Sequence, residues 1–126
     1  MRQNFGKSER LKSRKLIEEL FATGKWLSED PIRVVYKVTD LNSSFPVQAG
    51  VTVPKSTMKR AVDRNKFKRR MREAYRKNKT ELYDLLSLQE KQCAIMFIFK
   101  GGINVKSEVI EEKICALLQR LLKEHG

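Results

Sequence analysis

An α+β domain is what the sequence predicts, on three observations. Segments whose apolar residues recur at helical spacing alternate with short β-branched or aromatic runs, in the order α-β-β-α-β-α. One run, "CAIMFIF" from Cys93 to Phe99, is apolar throughout and has the length of a fully buried strand. The stretch after Ser107 carries the pattern of a long amphipathic helix. Such a set makes a two-layer sandwich, with helices packed on a small sheet of at least three strands. The chain has 126 residues, 40% of them hydrophobic, which suits one domain over residues 1–126 with one modest core.

Taken in order, Ser8 stands where it can cap a first helix, and Leu11, Leu16, Ile17, Leu20 and Phe21 follow near helical spacing until Gly24 stops it. "PIRVVYKVT", Pro31 to Thr39, is β-branched and aromatic. The turn residues of "DLNSSFP" follow, and "VQAGVTVP", Val47 to Pro54, alternates as a second strand, so the two read as a hairpin. A basic helix comes next. With Arg64 to Asn78 helical, Phe67, Met71, Ala74, Tyr75 and Asn78 form one stripe. Asp63 is placed to cap it, and a start near Ser56 fits equally. "TELYDLLSLQEKQ" either extends that helix or forms a short one of its own. Gly101 and Gly102 end the buried strand, and Ser107 caps a last helix with Ile110, Ile114, Leu117, Leu118, Leu121 and Leu122 on one face.

The net charge of +12 implies a polyanionic partner, and its distribution says where. Lys55 to Lys79 holds twelve Lys or Arg and two acids, Asp63 and Glu73; the rest of the chain is nearly neutral. On the basic helix Arg64, Lys68, Arg72 and Arg76 form one row, with Asn65 and Arg69 beside it. A solvated helix face usually mixes Lys with Glu, because like charges at i,i+4 cost roughly 0.2 to 0.5 kcal/mol per pair. Here Lys66 with Arg70, Lys68 with Arg72, and Arg72 with Arg76 repel at that spacing, while Arg69 with Glu73 attracts. Nucleic acid relieves such repulsion, and Arg suits phosphate better than Lys does. A membrane surface is the lesser alternative, since the helix needs its apolar face for the sheet.

Other functions find no residues. The longest apolar run is far below the roughly 18 to 20 residues that span a bilayer, and the charged N-terminus lacks the apolar core of a secretory signal. A cytoplasmic protein is expected. Cys93 and Cys115 have no CxxC spacing and read as reduced core thiols. The only histidine is His125. Glu18 with Glu19 and Glu111 with Glu112 are helical neighbours that point apart, and Gly101-Gly102 opens no phosphate loop. No catalytic residue and no metal site are expected on this chain.

The segment "RNKFKRRMRE", with Arg64, Asn65, Lys68, Arg69, Arg72 and Glu73 at fixed spacing and "KRAVD" before it, resembles the signature of the bacterial ribonuclease P protein family. "LKSRKLIEELFATG" is similar to that family's first helix, and "AGVTVPK" to the strand leading into its signature. The resemblance implies a left-handed βαβ crossover around the signature helix. It also implies contact with a catalytic RNA subunit that uses Mg²⁺ to remove the 5′ leader of precursor tRNA. The corresponding RNA-binding set is Lys55, Lys59, Arg60, Arg64, Asn65, Lys68, Arg69, Arg72 and Arg76. Asn65 can donate and accept at base or ribose edges while Arg holds phosphate. The family's leader cleft, between first helix and sheet, maps onto Ile17, Phe21 and Tyr36. Ile17 departs from the family's usual Phe, core packing competes at all three positions, and the polar tip of Tyr36 favours the cleft. A structural RNA-binding protein of ribosomal type is the alternative, separated only by the signature.

Overall fold

A computed structural model describes residues 5–126. A 3-10 turn, Lys7–Glu9, leads into α1 (Arg14–Thr23), β1 (Lys25–Glu29), β2 (Ile32–Val38) and β3 (Val47–Thr52), then α2 (Ala61–Asn78), α3 (Thr80–Leu88), β4 (Cys93–Phe99) and α4 (Ser107–His125). The four strands lie in the order β1-β2-β4-β3.

That order overturns the expected hairpin. β2 and β3 are not neighbours, because β4 lies between them, antiparallel to β2 and parallel to β3. All seven residues of β4 are buried, and a strand with two apolar faces is most stable at the centre of a sheet. The parallel β3–β4 pair then needs a long crossover, which α2 and α3 supply. A hairpin does exist one element earlier, where β1 pairs with β2 from Lys25↔Tyr36 to Glu29↔Ile32. "KWLSE" escapes a strand reading because it has no β-branched residue and only two large apolar ones.

Alternation along β2 divides the molecule. Ile32, Val34 and Tyr36 face the main core, with α2, α3 and α4, whereas Val35 faces α1 together with Ala94, Met96 and Ile98 of β4. Helices therefore cover both faces, α1 adding a partial third layer to the two expected. α1 starts later than expected. Ser13, not Ser8, is its cap, accepting from Leu16 N at 3.2 Å, and the Ser8 carbonyl instead receives Ser43 Oγ at 2.9 Å and Gln48 Nε2 at 3.2 Å. At Gly24 a Cβ would stand 2.4 Å from Leu20 O and 2.7 Å from Val35 Cγ2, so only glycine lets the end of α1 meet β2. α2 begins after Arg60, ahead of Asp63 and beyond Ser56, with no side-chain cap bond. Asp63 sits in the first turn, where a carboxylate favours the helix dipole. α3 is a separate helix, parted from α2 at Lys79.

Candidate nucleic-acid interface

Burial of one stripe orients α2. Phe67 stacks on Phe99 with ring centroids 4.9 Å apart, Tyr75 meets Phe97 at 5.7 Å, and Met71 and Ala74 are buried between them. The residues left over, Lys68, Arg72, Asn65 and Arg69, face away from the core, and the last three are exposed. Among the described residues none of these cations has an ion pair.

Other cations of the segment are engaged inside the protein. Arg64 Nη1 donates to Met58 O at 3.0 Å and Lys59 O at 2.6 Å, so it fixes the loop before the helix. Met58, buried, anchors that loop from below, and Lys55, Lys59 and Arg60 are held exposed on it. Arg76 grips Glu73 through Nη2 at 2.6 Å and Nε at 3.1 Å. Glu73 thus pairs one turn ahead, with Arg76, and not backward with Arg69 as expected. Lys79 is buried against Glu9, which ties the 3-10 turn to the α2–α3 junction. Its ammonium also lies 4.8 Å from the centroid of the Tyr83 ring.

The α1 face of the sheet carries a cleft. Arg10, Leu11, Lys12, Ile17 and Phe21 form one wall and residues 49–52 of β3 the other; Met96 is the floor, and Arg72 stands at the margin. Arg10 is brought there by backbone pairing: Leu11 N donates to Ala49 O at 3.0 Å and Arg10 bridges Ala49. Partial burial, then the nearby Arg10, lower the pKa of the Arg72 guanidinium. Two cations held together without an acid are arranged for an anion. The cleft shares Arg10 and Lys12 with a polar basin lined also by Lys7 and Lys15 and by the acids Glu19 and Asp40.

Ile17 and Phe21 lie in this cleft, Ile17 half-buried and Phe21 41% exposed. Tyr36 does not. It is 4% exposed, on the opposite face of the sheet, with its ring edge on His125 at 5.6 Å. The register decides this: Val35 faces α1, so Tyr36 must face α4. Burial, then the carboxylate of Glu124, raise its hydroxyl pKa. Arg10, Lys12 and Gly50 of the cleft escaped sequence reasoning, because only the docking of Leu11 on β3 shows that the N-terminal segment forms a wall.

Among the described residues no three His, Cys, Asp or Glu side chains come together as a metal site, so the donors present do not suit a resident ion. Burial pushes the Cys93 thiol up to about 12, so it stays protonated. Among the described residues no helix is long and apolar enough to cross a membrane.

A small mixed sheet with one cationic helix face, and a second cationic cleft joined to it, defines a protein that holds a polyanion. The family model for Ribonuclease P matches residues 5–123. A Ribonuclease P protein component of Porphyromonas gingivalis is 40% identical over 92 residues, covering 73% of this chain and 67% of its own. One from Chlorobium phaeobacteroides is 32% identical over 125 residues, covering 91% and 86%. The solved RNase P protein from Thermotoga maritima superposes with a TM-score of 0.68 at 26% identity, over 89% of this chain and 96% of that one. The Staphylococcus aureus RNase P protein, at 16% identity and a TM-score of 0.65, shares the fold. This chain belongs to the ribonuclease P protein family of bacterial type, whose role lies in tRNA 5′ processing.

Proposed function

We propose that the chain acts as one RNA-binding domain with two RNA surfaces. The exposed side of α2 and its preceding loop hold the catalytic RNA subunit, through Lys55, Lys59, Arg60, Asn65, Lys68, Arg69 and Arg72. Arg64 and Arg76 act mainly by shaping that surface. The cleft between α1 and β3 takes the single-stranded 5′ leader of precursor tRNA. One observation carries the reading: Arg72 belongs to the signature helix and to the cleft margin at once, beside Arg10. A chain of phosphates passing from one surface to the other would neutralise both.

Hydrolysis and its Mg²⁺ belong to the RNA subunit. This chain contributes charge neutralisation and grip, in the cytoplasm. Reconstitution tests it. The purified chain with Mg²⁺ should leave precursor tRNA intact, whereas the chain with the RNA subunit at low Mg²⁺ should release the leader faster than RNA alone. Mg²⁺-dependent cleavage by the chain after removal of all RNA would place the chemistry on the protein. Failure to bind the RNA subunit would return the ribosomal-type reading.

A further inference from the structure

Beyond the cleft, on the same face of the sheet, lies an aromatic pair. Phe21, at the end of the cleft wall, meets Trp26 of β1 with ring centroids 5.7 Å apart and planes tilted by 55°. Trp26 is 38% exposed although it is the largest side chain in the molecule. The guanidinium of Arg33 lies over the indole, 4.5 Å from its centroid. The hairpin register places the two diagonally, Trp26 opposite Val35 and Arg33 opposite Ser28, so the stack follows from the β1–β2 pairing. Among the described residues Arg33 has no ion pair, while Arg120 of α4 is bound to Glu29 and the Ser28 carbonyl of β1. Exposed aromatic surface beside a cation without an acid is what single-stranded nucleic acid binds, bases on the rings and phosphate on the guanidinium.

We propose that Phe21, Trp26 and Arg33 form a second stacking platform that takes an unpaired base of the RNA strand where it leaves the cleft. This rests on the cleft being the leader's site. Continuity favours RNA, since Phe21 lines the cleft and touches Trp26. Charge favours it over a second copy, since Arg33 would meet its own like in a chain of net charge +12. Glu18, one turn before Phe21 on α1, is the acid in the vicinity. It discourages phosphate at Phe21 and leaves the rings to the base.

The chain has 1 Trp, so its fluorescence reports this site alone. The holoenzyme, reconstituted with the RNA subunit, is titrated with precursor tRNA carrying a long single-stranded leader and with mature tRNA. The platform predicts quenching by the first and not by the second. Trp26→Ala should lower affinity for the leader-bearing precursor about 5- to 150-fold, the range for removal of one stacking partner. Trp26→Phe should restore most of it. Arg33→Gln should keep the quenching and reduce the salt slope by roughly 0.7, one phosphate on a single strand. A leader that tightens binding without quenching Trp26 would overturn the platform and leave the cleft standing. A leader that neither tightens binding nor quenches would overturn both.

Discussion

Arg72 and Lys79 are two helical turns apart on one cationic segment, and they have opposite roles. Lys79 is buried with Glu9 beneath the Tyr83 ring, where an ammonium without its carboxylate would be strongly unfavourable. Arg72 is exposed and repelled by Arg10. Charge alone could not separate them, because both read as cations in one run; burial does. Tyr36 shows the same rule for aromatic residues. A tyrosine on a β-strand beside a cleft has a polar tip suited to RNA, yet here the ring fills the core between β2 and the end of α4. Tyr36→Ala should therefore cost about 3 to 5 kcal/mol of stability, as removal of a large buried ring does. Urea unfolding measures it. Affinities for the RNA subunit and for the leader should then change together, through the folded fraction. Unchanged stability with a selective loss of leader binding would put the ring back in the cleft.

At the scale of elements, α2 works because its stripe and its charges are separated by the helical period. That much is legible in the sequence: Phe67, Met71, Ala74 and Tyr75 are the buried residues expected, and the central strand from Cys93 to Phe99 is as apolar and as buried as it reads. The pairing of strands is not legible there. Nothing local in β2 or β3 says that a strand some forty residues later enters between them, and the turn residues between them do not distinguish a hairpin turn from a loop. The margin of α2 matters as well as its face. Lys68 and Arg69 lie off the cleft lining and Arg72 lies on it. Lys68→Ala with Arg69→Ala should weaken only RNA-subunit binding, lowering the salt slope by roughly 0.9 for each duplex phosphate that is no longer neutralised. Arg72→Ala should weaken both the RNA subunit and the leader-bearing precursor. Binding to each RNA across a series of salt concentrations separates the two outcomes, and equal effects of the variants on both RNAs would mean that α2 presents one undivided surface.

For the whole molecule, the sheet is a partition. Its α4 side is a closed core, and its α1 side is only partly covered, because α1 is short and Gly50 leaves room above Met96. A Cβ at Gly50 would come within 2.9 Å of Met96 Cε and 3.1 Å of its Sδ. The flexible tip of a methionine can turn aside, and Gly50 has no positive φ that a larger residue would strain. Gly50→Val should thus fold, since β-branched residues suit a strand. Its side chain would rise from β3 beside Met96 toward Leu11 and fill the floor of the cleft. Apart from Arg72 at the margin, the surface of α2 lies outside that change. Binding of the RNA subunit should stay at its original strength, with the same salt slope, while the advantage of a leader-bearing precursor over mature tRNA shrinks. Thermal unfolding near that of the original protein is the control for folding. If the variant melts normally and the leader keeps its full advantage, the strand does not run between α1 and β3, and the cations Arg10 and Lys12 would serve the RNA subunit from the other side of the partition.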